Sequence, residues 1–152
     1  MTIYRSWSDM PQLLGDLMTR EWGAIVTAAA GGREEAGTVE RIVGTALRAV
    51  RALRANELFV RIVELDPELL LPYLLSRRGR SQQAILDLMA EQLRVGQAIG
   101  EVRGTDPDVL ARALLLTTHG FVLSGHTMVD DLASEEALDA ELAEILARGI
   151  RP

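Results

Sequence analysis

His119 and His126 are the only histidines in the chain, and they stand seven residues apart. That interval places both on one face of a helix. Zinc pairs on a helix usually occupy i and i+4. His126 and Asp130 have that spacing, but two ligands do not complete a tetrahedral site. Cys is absent, which excludes disulfides, thiolate metal sites and cysteine nucleophiles and suits a reducing compartment. Ser76, Ser81 and Ser124 lie near no evident base. Gly31-Gly32 lacks the Gly-Lys-Ser/Thr ending of a phosphate loop, and Gly100 and Gly104 follow no strand pattern. Asp130-Asp131 and Glu135-Glu136 read as helix-terminal charges that complement the macrodipole. Neither an enzyme, a metal site nor a cofactor is expected.

Two features point to binding instead. Thr45, Tyr73, Thr117, Thr118 and His119 are polar groups set among Leu, Val and Met. An apolar pocket with a few oriented donors is how proteins hold small hydrophobic ligands, although Ser and Thr inside helices often only bond back to a carbonyl. The second feature is a face of small residues interleaved with Phe and Met: Thr117, Gly120, Phe121, Ser124, Gly125 and Met128. Such a face allows close helix approach, and a second amphipathic helix follows it directly. The pair would form half of a four-helix dimer interface, or an ordinary helix pair within one chain.

The elements that must position these groups are helices. Leu13, Leu14, Leu17, Met18, Trp22, Ile25 and Val26 recur at helical spacing behind Asp9 as cap, and Gly31-Gly32 ends the segment. Val39, Ile42, Val43, Ala46, Leu47, Val50 and Leu53 form a second stripe, with Arg41, Arg48, Arg51 and Arg54 on other faces. A shorter piece runs from Asn56 to about Leu65. Asp66-Pro67-Glu68 predicts a capped helix start, and Pro72 should bend or restart the Leu-rich stretch around it. A long helix carries Ile85, Leu86, Leu88, Met89, Leu93 and Val95, with Gly96 and Gly100 loosening its end. Asp106-Pro107-Asp108 repeats the cap signal and opens a helix to about Met128, apolar nearly all round at Ala113–Leu116. The last helix starts at Ser134, turns Leu138, Leu142, Ile145 and Leu146 inward, and closes at Gly149.

Composition agrees. The chain has 152 residues, enough for one domain with its own core. Leu (24) and Ala (19) dominate and aromatics are only 4%, so the core must be aliphatic and the class all-α. No apolar run approaches the ~18 residues that span a bilayer, and no signal peptide is visible, so a soluble, cytoplasmic protein without a membrane partner is expected. Every basic side chain is Arg, and the net charge is -6. Residues 1–80 hold 11 Arg against 10 acids, whereas residues 81–152 hold 5 against 12. Such a balance speaks against nucleic-acid binding by the chain as a whole.

Thr2-Ile3-Tyr4-Arg5-Ser6-Trp7, followed by Ser8-Asp9-Met10-Pro11-Gln12-Leu13-Leu14, resembles the signature of the tetracycline-repressor (TetR) family. In that family a similar run ends the recognition helix of a helix-turn-helix and leads into a capped helix. Asp66–Tyr73, Gly100–Arg103 and Asp106–Ala111 resemble later segments of the family, so the likeness covers essentially the whole chain. It implies a homodimeric transcriptional regulator whose helical body, of about six to seven helices, binds a small and largely apolar effector. Residues 1–7 would be the remnant of the recognition helix and residues 8–152 the ligand-binding and dimerisation domain. Thr2 and Tyr4 match positions that contact DNA phosphates. The family's first two helices have no counterpart in this sequence, so DNA contact is expected only through N-terminal helices that the sequence lacks. Large or polar groups on inward stripes make Trp22, Phe59, Tyr73, Met89, Thr118 and His119 the candidate effector contacts. Dimerisation through the last two long helices would use Thr117, Gly120, Phe121, Ser124, Gly125, Met128, Leu138, Leu142 and Ile145. The alternative is a DNA-independent helical module that heterodimerises with a full-length regulator.

Overall fold

The computed structural model describes residues 10–31 and 37–152. Those residues form seven α-helices and no strand: α1 (Met10–Ala30), α2 (Thr38–Arg54), α3 (Glu57–Leu65), α4 (Leu71–Leu75), α5 (Arg80–Ala98), α6 (Pro107–Ser124) and α7 (Glu135–Ile150). The expected all-α class is thus the observed one. Asp9, the expected cap of α1, lies outside the described residues.

Helix α2 is the hub, in contact with α1, α3, α5, α6 and α7. Its buried residues Val39, Ile42, Val43, Ala46 and Val50 repeat at the three- and four-residue steps of one helical face. Leu86, Ala90 and Leu93 of α5, Leu110 and Leu114 of α6, and Leu142, Leu146 and Ile150 of α7 close on that face. Each fully buried Leu or Ile contributes about 1.5–3 kcal/mol of transfer free energy.

Caps set most of the boundaries. Asn56 Oδ1 accepts from the Phe59 amide at 2.9 Å, and Asp106 Oδ1 accepts from the amides of Asp108 (2.8 Å) and Val109 (3.3 Å). Ser134 Oγ accepts from the Ala137 amide at 3.2 Å. The first turn of α2 is capped from across the fold: the Thr38 amide donates to Glu101 Oε2 at 2.7 Å. Bonds from the Thr38 hydroxyl and amide, aided by the charge of Arg41, hold the Glu101 carboxyl below its ordinary pKa.

Four local expectations change. Asp66 makes no side-chain cap; Pro67–Leu69 is a single 3-10 turn, and the chain restarts at α4 with Pro72 in its first turn. Gly96 does not loosen α5 but lies inside it, where a Cβ would come within 2.5 Å of Val102 Cγ2 and 2.7 Å of Thr38 Cγ2. The turn is made by Gly100, whose φ of 78° favours glycine. Helix α6 ends at Ser124 and passes into a 3-10 turn, Gly125–Met128, with the Arg54 guanidinium in the space where a side chain at Gly125 would stand. Helix α7 runs through Gly149 to Ile150, whose carbonyl accepts from the Arg103 amide at 3.0 Å.

The arginines of α2 do more than face solvent. Arg48 Nε donates to the Ala29 carbonyl at 2.9 Å, closing the end of α1. Arg51 Nε and Arg54 Nη1 donate to the two oxygens of Asp139, at 2.7 and 2.9 Å. Asp139 is a buried carboxylate of α7. Arg54 also reaches Glu135 Oε1 (3.0 Å) and the Phe121 carbonyl (2.9 Å). One guanidinium therefore ties α2 to both α6 and α7.

Candidate effector cavity

Residues of α1 begin the site. Met18, Trp22 and Val26 succeed one another at four-residue steps, so all three face the same way, toward Phe59, Leu70, Ile85 and Val122. Between them lies a cavity of about 100 Å³. Gly15 belongs to the same face, and its lack of a side chain lets the Tyr73 hydroxyl come within 2.9 Å of where a Cβ would stand. The Trp22 and Phe59 rings meet edge to face, with centroids 5.8 Å apart.

A second cavity of about 100 Å³ lies against α2, lined by Thr45, Ala46, Ile85, Met89, Leu115 and Thr118 among others. Val26, Leu53, Ile85, His119 and Val122 border both spaces. A larger cleft of about 450 Å³ opens beyond Tyr73, between α4, α5 and α6. His119 is the one residue common to the linings of all three.

The polar groups are few and specific. Trp22 Nε1 is buried and has no hydrogen-bond partner among the described residues, and an orphaned indole N–H is costly unless something accepts from it. Burial pushes the His119 pKa below the ordinary histidine value. The ring is therefore neutral at pH 7 and offers one donor and one acceptor. Thr118 offers less, because its hydroxyl donates to the Leu114 carbonyl at 2.8 Å. Arg48 Nη2 donates to Thr45 Oγ1 at 3.3 Å. The arrangement suits a guest that is mostly hydrocarbon and carries an acceptor for Trp22.

The structure thus brings Trp22, Phe59, Tyr73 and His119 to one cavity and sets Met89 and Thr118 on the adjoining one. Sequence reasoning missed Met18, Leu70, Ile85, Gln82 and Val122 as lining residues. Gly15 was the available signal, as a small residue in step with Met18 and Trp22. Thr2 and Tyr4 lie outside the described residues.

The residues expected at a dimer interface separate into three groups. Gly120, Ser124, Met128 and Ile145 are exposed, and Thr117, Phe121 and Leu138 are half-buried. Leu142 and Gly125 are corrections: Leu142 is 0% exposed inside the chain's own core, and Gly125 is buried beneath Arg54. Leu116 and Val109 of α6, 70% and 60% exposed, lie on the open face instead. Among the described residues no helix is long and apolar enough to cross a membrane.

No protein-family model matches the chain. An HTH-type transcriptional regulator of Mycobacterium bovis is 30% identical over 146 residues, covering 95% of this chain and 74% of that protein. Regulators of two Mycobacterium tuberculosis strains match to the same extent. Among solved structures, the transcriptional repressor QsdR of the TetR family from R. erythropolis superposes with a TM-score of 0.72 at 18% identity. It covers 99% of this chain and 79% of that one. A protein from Rhodococcus sp. RHA1 gives the same TM-score at 19% identity, over 97% of this chain and 76% of the other.

Proposed function

Because the chain belongs to the TetR family of helix-turn-helix transcriptional regulators, we propose that its helical body is an effector sensor. A small, largely apolar molecule occupies the cavity beneath α1. The observation that carries this reading is the buried, unpartnered Trp22 Nε1 on the wall of an apolar cavity, with neutral His119 beyond it.

Five residues of α1 line that space: Gly15, Met18, Thr19, Trp22 and Val26. A cavity of about 100 Å³ is smaller than most ligand sites, so a guest larger than this must move a wall. Helix α1 packs chiefly on α2 and α5, with Met18 and Trp22 also meeting Ile62 and Phe59 of α3, whereas α2 contacts five other helices. The binding free energy therefore goes into displacing α1. DNA reading is assigned to sequence N-terminal to α1, where Thr2 and Tyr4 are the family-matched phosphate contacts. A shift of α1 would change the spacing of two such heads in a homodimer.

The dimer forms through α6 and α7. Val109, Leu116, Gly120, Met128 and Ile145 are exposed in one chain; a second copy would cover them. The protein acts in the cytoplasm.

Thermal denaturation with a panel of small alcohols, ketones, esters and acids tests the sensor. A true effector at 100 times its Kd adds about 2.7 kcal/mol, which raises Tm by about 5–10 °C in a domain of this size. Ile85→Trp, which fills the wall between the two cavities, should abolish the rise. A panel member that stabilises Ile85→Trp and the wild type equally would refute the assignment.

A further inference from the structure

Resting on the effector reading above, we propose that the effector is an apolar anion: its body, mostly hydrocarbon with one acceptor for Trp22 Nε1, lies in the two inner cavities, and its acidic group sits among Arg77, Arg78 and Arg112. Among the described residues, no charged side chain lines the two inner cavities. The cleft that adjoins them is lined by these three arginines and, among the described residues, by no Asp or Glu. In a chain of net charge -6, a rim where three arginines outnumber the nearby acids, Asp108 at 3.9 Å from Arg112 and Asp16 in the groove beside Arg77 and Arg78, is a selective arrangement.

The cleft and the first cavity share Tyr73, Leu74, Gln82 and His119 as their common wall, so the two spaces adjoin, and a guest that displaces these side chains would reach from one to the other. Arg77 lies over the Tyr73 ring at 5.1 Å. It has no carboxylate partner among the described residues. Arg78 is held by a neutral group, Gln83 Oε1, at 2.9 Å. Arg112 donates to the Asp108 carbonyl at 2.5 Å and stands 3.9 Å from that residue's Oδ1, a long ion pair that leaves most of its donors unused. Arg80 is different, being already paired with Asp16, and is given no role. A guanidinium at the edge of a low-dielectric chamber binds a carboxylate more strongly than one in open water does.

The test uses the emission of Trp22 in a Trp7→Phe background, which leaves a single tryptophan on the cavity wall. Octanoate and 1-octanol share a chain length and differ in charge. Titrated at pH 7.5 and low salt, octanoate should bind about tenfold more tightly than octanol. Arg77→Gln/Arg112→Gln should remove that preference while octanol binding persists, which also shows that the double variant is folded. Equal or tighter binding of octanol to the parent protein would overturn the anion assignment and leave the cavity reading standing. Persistence of the preference in the double variant would overturn the role of these arginines. A Trp22 emission that responds to neither probe would overturn both.

Discussion

Asp139→Asn removes one charge from the centre of the junction between α2, α6 and α7. The Asp139 side chain is 4% exposed and accepts from Arg51 at 2.7 Å and Arg54 at 2.9 Å. The two arginines lose unequally. Arg51, 60% exposed, is rehydrated at little cost. Arg54, 14% exposed, stays buried with Glu135 and the Phe121 carbonyl as its remaining partners. Its Nε is already buried without a partner. Removing one member of a buried pair typically costs 3–5 kcal/mol. The partners that Arg54 keeps place the expected loss near the lower end, at about 3 kcal/mol. For a domain of this size that is a fall in Tm of about 6–12 °C. Urea denaturation followed by circular dichroism reads the same quantity from the midpoint. Arg54→Met in the Asp139→Asn background should recover part of the loss, since the orphaned cation goes too. As a control, Arg148→Ala breaks an exposed pair with Glu144 and should change stability by under about 1 kcal/mol. If Asp139→Asn costs no more than Arg148→Ala, the junction is not held by this charge.

Glu101→Gln should lower Tm at pH 7, and the gap from wild type should close as the medium is acidified. The folded-state pKa of Glu101 lies below its usual value of 4.5, so its contribution is complete above the unfolded value and is lost as pH falls through the folded one; a gap that widens toward pH 3 would contradict this. Gly96→Ala should destabilise by about 1–3 kcal/mol through overpacking against Val102 and Thr38. Gly23→Ala, with nothing within 4 Å of the new Cβ, should stabilise by up to about 1 kcal/mol from helix propensity, and urea midpoints that move in the same direction for both would refute the packing account. Leu116→Glu should convert a particle of twice 16.6 kDa into a monomer by light scattering with its helicity intact; an unchanged dimer would move the interface elsewhere.

The sequence was most informative where the determinants are local. The stripe Val39–Val50 gave α2 its buried face, and Asn56, Asp106 and Ser134 marked helix starts with side chains that do cap them. Asp66 has the same type and the same following proline, yet the chain turns in 3-10 geometry before its side chain reaches an amide. Leu142 and Ile145 sit three residues apart on one stripe. One is fully buried and the other is 48% exposed, and only the position of α2 against α7 decides between them. The pairing of Arg54 with Asp139 spans 85 positions, beyond any pattern of spacing. Within the site, large inward residues such as Trp22 and His119 stood out by type. The space between them did not, because a void depends on how far apart helices from distant parts of the chain come to rest.

The most direct measurement of the sensor is native mass spectrometry of protein purified from its own cells, wild type beside Ile85→Trp. A noncovalent small molecule, released by denaturation, is the expected result for the wild type, and a bare chain for the folded variant. The same molecule retained equally by both proteins would contradict the sensor assignment.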